Sequence, residues 1–230
     1  SVITGKTWSA PITLDAAAAK IPQLPIDSSS GVNVLRGAFS GAKGAAYLGY
    51  AAWVYKSRFV SFTAPQISNS NRGIVIDMSS DVDVTKAAMT GLSVDGIDIS
   101  SSQRVKVTYS SCTAFKTGTA HPDCVQGWSR PGKITSDVLI DRNTMDSQNT
   151  QGIFFGNHVR NGVDDGGFDR VTITNNTIRG SYPNGIAVAA CRGCVVTDNK
   201  AVTMLGSKYK VGINLYGKGI TAARNVLVKE

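Results

Sequence analysis

Only two histidines occur in this chain, and the first opens HPDCVQGW (121–128), where an acid, an amide and an indole follow within seven positions. Further on, YPNGIAV (182–188) sets Tyr182 just before an amide, and KYKVGINLYGK (208–218) carries Lys210 and Lys218 around Asn214 and Tyr216. Histidine, tyrosine and lysine are side chains that take and give protons. Amides and cations hold carboxylates, and exposed rings stack on flat apolar faces. The question is which scaffold brings these residues together.

The elements that must do so are short strands. Runs of β-branched residues are separated by Gly, Asn, Asp and Ser, and two patterns recur. One is VLIDRNTM (138–145), VTITNNTI (171–178), VVTDNKAV (195–202) and ITAARNVL (220–227), with VKVTYSSC (105–112) placing Ser110 where the others have asparagine. The asparagines of this pattern are Asn143, Asn176, Asn199 and Asn225. The other pattern is DCVQGW, QGIFFG, NGIAVA and VGINLY, beginning at 123, 151, 184 and 211. Periods of roughly 20 to 35 residues with uneven insertions mark stacked units. Bend asparagines tolerate left-handed backbone and can bond one another up a stack. The expected fold is all-β: a single-stranded right-handed parallel β-helix (solenoid) of roughly eight coils, forming one domain over residues 1–230. LDAAAAK (14–20) is expected to form a short N-terminal capping helix.

In such a stack, residues some thirty positions apart become neighbours about 4.8 Å away. Aligning the second pattern on Val125, Ile153, Ile186 and Ile213 turns those residues inward and sends Gln126, Phe154, Ala187 and Asn214 outward in one file. One edge then carries His121, Asn149, Tyr182 and Tyr209, with Asp123, Gln151 and Asn184 beside them. The other carries Arg130, His158 and Lys218, with Trp128 and Tyr216 between. This strip suits an extended acidic polysaccharide: amides and cations for its carboxylates, rings for its pyranose faces. The bend asparagines read as structural.

Charge agrees with such a partner. Lys and Arg number 24 against 16 acids, and Glu230 is the sole glutamate. No Lys/Arg run with interleaved aromatics marks a nucleic-acid interface, and no apolar run approaches the roughly 18 residues of a membrane span. Neither nucleic acid nor membrane is expected as a partner, and a monomer is. Of the four cysteines, Cys191 and Cys194 have C-x-x-C spacing without a second pair to complete a zinc set, which leaves disulfides or buried thiols open. A secreted or periplasmic location, with the signal peptide removed, is expected.

The asparagine coils, HPDCVQGW, YPNGIAV and KYKVGINLYGK resemble right-handed β-helix polysaccharide lyases, above all the small alginate lyases of that fold, over residues 100–230. That scaffold is also used by pectate lyases, mannuronan epimerases, polygalacturonases and phage tailspikes. The resemblance implies β-elimination on a uronic acid polymer. It makes Tyr182 the acid, or acid and base together, with Lys218 or Lys210 as base and His121 in competition. Gln126, Asn184, Asn149 and Arg130 become candidates for the carboxylate clamp. Gln151, Trp128, Phe154, His158, Asn214 and Tyr216 complete the substrate-binding set. His121 and Tyr182 stand two coils apart, and a sugar residue is expected to lie between them. The strip holds one aligned acid, Asp123, so no metal and no cofactor is expected. Two alternatives remain: a hydrolase using Asp123 with Asp164 or Asp165, and a non-catalytic, tailspike-like carbohydrate-binding module.

Overall fold

The computed structural model describes residues 2–41, 49–116 and 121–230. Among them, three parallel sheets each stack nine rungs along one axis, which makes eight windings from first rung to last. The first sheet, which carries the candidate site, takes its rungs in order from Ile3–Thr4, Leu24–Asp27, Tyr50–Tyr55, Arg72–Asp77, Ile97–Ser100, Asp123–Trp128, Gln151–Phe155, Asn184–Ala189 and Gly212–Tyr216.

Alternation along each strand builds the core. In the second sheet Val32, Val60, Val82, Val105, Val138 and Val171 pair rung to rung and are buried, a column of β-branched side chains pointing inward. The corners are held by side chains. Between the second and third sheets, Asn143 Nδ2 donates to Asn176 Oδ1, Asn176 Nδ2 to Asn199 Oδ1 and Asn199 Nδ2 to Asn225 Oδ1, at 2.9 to 3.0 Å. The residue before each asparagine (Arg142, Asn175, Asp198 and Arg224) has positive φ, which frees the backbone groups the amides collect. Ser110 continues this ladder, its N–H donating to Asn143 Oδ1. Between the first and second sheets a serine ladder does the same work: the N–H groups of Ser29, Ser57 and Ser79 donate to the hydroxyls of Ser57, Ser79 and Ser102.

The capping helix is not there: no helix occurs among the described residues. Thr7–Asp15 is a strand paired with Ser30–Leu35, the chain turns, and Lys20–Ile21 starts the third sheet. Four alanines cannot meet the cost of helix nucleation when the adjoining coil offers parallel pairing. Asp15 caps the turn by accepting the Ala17 N–H, and it pairs with Arg36. The cysteines form two disulfides, Cys112–Cys124 and Cys191–Cys194.

Candidate active site

A glycine-rich column sets up the first edge of the first sheet. Gly96, Gly152 and Gly185 each stand just before an inward aliphatic residue. A Cβ on Gly152 would lie 2.2 Å from the Gly185 carbonyl oxygen, and one on Gly96 2.4 Å from that of Cys124. Only hydrogen fits, and this is the physical reason for the recurring DG, QG and NG. The residue before each small one forms a polar file, Arg72, Asp95, Asp123, Gln151 and Asn184.

This file changes character along the axis. Asp95, Asp98 and Asp123 are shut away from solvent, at 2%, 1% and 1% exposure, with Arg72 as the cation of Asp95 and Asp98. Arg72 Nε lies 3.0 Å from Asp98 Oδ2 and 3.7 Å from Asp95 Oδ2. Desolvation, then the charge of Asp95, pushes the Asp98 carboxyl well above the carboxylate range; desolvation, then Asp95 and Asp98, does the same to Asp123. Higher up come amides: Asn184 Nδ2 donates to Gln151 Oε1 at 2.6 Å and Asn214 Nδ2 to Asn184 Oδ1 at 2.8 Å. Each NH2 points down the axis, so Asn214 ends the chain with an acceptor oxygen.

Beyond the amides stand the proton-transfer candidates. Tyr182 Oη lies 2.9 Å from His121 Nδ1, and Tyr209 packs edge-on against Tyr182 with ring centroids 6.2 Å apart. No gap for a sugar separates His121 from Tyr182, contrary to the sequence expectation. Backbone spacing predicted room, but the two side chains reach across the intervening rung. Asn149, in the turn before that rung, has φ 54° and accepts a hydrogen bond from the hydroxyl of Ser181, the residue before Tyr182. Lys210 adjoins this cluster as the neighbour of Tyr209. Lys218 follows the last strand, whereas Tyr182 precedes the parallel strand paired with it, so the two stand at opposite ends of the sheet and Lys218 does not join Tyr182.

Pairing along the outward face follows the expected register: Gln126 with Phe154, Phe154 with Ala187 and Ala187 with Asn214. At the far edge a cleft of about 500 Å³ is lined by Gln126, Trp128, Arg130, His158, Arg160 and Asp165. Arg130 is already engaged, its Nη1 lying 2.5 Å from Asp77 Oδ1, two rungs below. Nine of the eleven arginines are ion-paired in this way, and Arg160 has no ion pair among the described residues. Arg160 and His158 sit at a two-stranded hairpin, Val159–Arg160 with Val163–Asp164, closed by Asp165 Oδ2 accepting the His158 N–H at 2.8 Å. Asp165 therefore belongs to the far edge and Asp123 to the near one, the length of a strand apart. The pairing of Asp123 with Asp164 or Asp165 across one glycosidic bond is ruled out by this geometry. Among the described residues no group of three or more His, Cys, Asp and Glu is arranged to hold a metal ion.

A family model described as the right-handed β-helix region matches residues 51–228. The chain belongs to the right-handed β-helix family. No curated protein matches it. Among solved structures this β-helix is similar to the Dettilon tailspike protein, at 13% identity and TM-score 0.44, over 99% of this chain and 61% of the tailspike chain. It is also similar to an alginate lyase from Paenibacillus sp. str. FPU-7, at 11% identity and TM-score 0.37, over 100% and 91% of the two chains. An endo-xylogalacturonan hydrolase from Aspergillus tubingensis gives 11% identity and TM-score 0.36, over 96% and 84%. The chain thus spans about three fifths of the tailspike it resembles.

Sequence reasoning aligned Tyr209 with Tyr182 without giving it a role; its edge contact with Tyr182 shows how that ring is braced in this β-helix. It missed the aromatic group of the third rung altogether. Tyr50, Trp53 and Tyr55 share one strand, with Trp53 and Tyr55 stacked at 4.9 Å. Outward alternation within YAAWVY was the signal that could have revealed them.

Proposed function

We propose that this β-helix is a polysaccharide lyase that cleaves an acidic polyuronate, alginate first, by metal-independent β-elimination. The observation that carries the proposal is the Tyr182–His121 hydrogen bond at the head of the amide file. His121 takes the phenolic proton of Tyr182, and the phenolate removes the proton on C5 of the uronate. The C4–O4 bond then breaks as the C4=C5 double bond forms, and the regenerated phenol gives its proton to the departing O4. Amide N–H groups of Gln151 and Asn184, with Lys210 nearby, hold the substrate carboxylate while charge builds on C5. Gln126, Trp128, Phe154, His158, Arg160 and Tyr216 receive the rest of the chain. Two disulfides suit the oxidising compartment in which such a polymer is met.

Incubation with alginate, polyglucuronate and pectate in the presence of a chelator tests this. Ultraviolet absorbance of unsaturated uronate ends is expected on at least one polymer. Reducing ends without that absorbance would indicate hydrolysis, and binding without product a non-catalytic module.

A further inference from the structure

We propose that Tyr55, with Trp53 and Lys56, forms a second glycan-holding site three rungs below the cleft, gripping the same acidic chain at a distance from the bond that breaks. The proposal rests on the polyuronate reading above and adds to it a site in the part of the molecule that reading does not use.

Trp53 and Tyr55 are two residues apart on one strand, so both face outward, while Ala51, Ala52 and Val54 fill the core side. Their rings stack at 4.9 Å and 30°, Tyr50 tilts against Trp53 at 5.7 Å, and the Lys56 Nζ stands 4.9 Å from the Tyr55 centroid. The core needs none of these rings. A broad aromatic surface with a cation at its rim is what a pyranose face carrying a carboxylate would meet.

Register ties this group to the cleft. Tyr55 pairs with Asp77, Asp77 with Ser100 and Ser100 with Trp128. Gly156, next to Phe155, takes the same place on the seventh rung, followed by Ala189 and then Tyr216. One row thus carries rings on the third, sixth and ninth rungs, each pair about 14 Å apart, with small residues at most places between. Asp77 would repel a polyanion there, and Arg130 reaches from the cleft to neutralise it. Asp27, on the second rung, accepts a hydrogen bond from Ser28 and has no ion pair among the described residues. The row therefore turns repulsive just beyond Tyr55, and the track ends at the aromatic group. The occupant is an extended anionic polysaccharide lying along the solenoid axis.

Titration calorimetry on the full chain carrying Tyr182→Phe, which leaves the substrate uncut, tests the site with two alginate oligomers. One is short enough to cover the amide file alone; the other is long enough to reach the third rung. Adding Tyr55→Ala is expected to weaken the long oligomer about tenfold, the weight of one ring contact, and to leave the short one unchanged. Tyr55→Phe, which keeps the ring, restores the long-oligomer affinity. Lys56→Gln, an exposed change that leaves the core intact, weakens the long oligomer and flattens its salt dependence. Unchanged long-oligomer affinity in Tyr55→Ala and Lys56→Gln, or equal losses on both oligomers, overturns the second site while the lyase reading stands. No binding of either oligomer by the parent chain removes the polyuronate reading, and this site with it.

Discussion

Two amide files run along this solenoid, and their surroundings separate them. Asn143, Asn176 and Asn199 lie in a closed corner at 2%, 1% and 1% exposure. The Asn176 Nδ2 is shared among the Ile140 and Thr174 carbonyls and Asn199 Oδ1. Gln151, Asn184 and Asn214 bond to one another as well, yet on the outer face, where Asn184 and Asn214 are half-buried and hydrogen-bonding capacity is left over. Identical chemistry serves architecture where every valence is spent internally, and is available to a ligand where some are not. The side of the wall, more than the residue type, decides the role.

The sharpest way to break that contrast is at the head of the open file. Tyr182→Phe removes the hydroxyl that reaches His121; kcat is expected to fall about a thousandfold with the melting temperature unchanged. A fall in Tm of the same variant would make Tyr182 a structural residue. In the closed file, Asn176→Ala strands buried carbonyls and an N–H, and chemical denaturation should show a loss of about 3 kcal/mol, with normal turnover by the folded fraction. Asn184→Ala, its counterpart on the outer face, is expected to raise KM about tenfold for less than about 1 kcal/mol of stability. Equal stability losses in these two variants would erase the distinction.

The smallest effect concerns the buried acids below Gln151. Desolvation raises the folded pKa values of Asp98 and Asp123 above the unfolded 3.8, so between the unfolded and the raised values the folded chain holds protons that the unfolded chain has released. Stability is then greatest below the unfolded pKa and falls as pH rises through the raised values, by at most about 1.4 kcal/mol per pH unit for each proton held. Asp123→Asn should flatten the pH dependence of the denaturation midpoint. A slope as steep as the parent's would mean that Asp123 is ionised in the fold.

Much of this fold is legible in the sequence. The asparagine spacings announced the ladder, and Gln126, Phe154, Ala187 and Asn214 align as their pattern implied because side-chain alternation has a rigid period of two. The rest depended on reach. Tyr182 crosses two rungs to His121, and Arg130 folds back to Asp77, 53 residues earlier; neither contact leaves a mark in a repeat. The early coils lack the bend asparagine, so the outward rings of Tyr50–Tyr55 passed unread. The alanine run misled because local propensity was overruled by pairing with the next coil.

The bond between Tyr182 and His121 joins residues 61 positions apart and clasps the sixth winding to the eighth. Such a clasp closes only when the upper end of the spring is fully wound. Gentle warming that frays the terminal turns should silence turnover while most of the sheet signal in circular dichroism persists, so that catalysis itself becomes the most sensitive gauge of how tightly the last coils are seated.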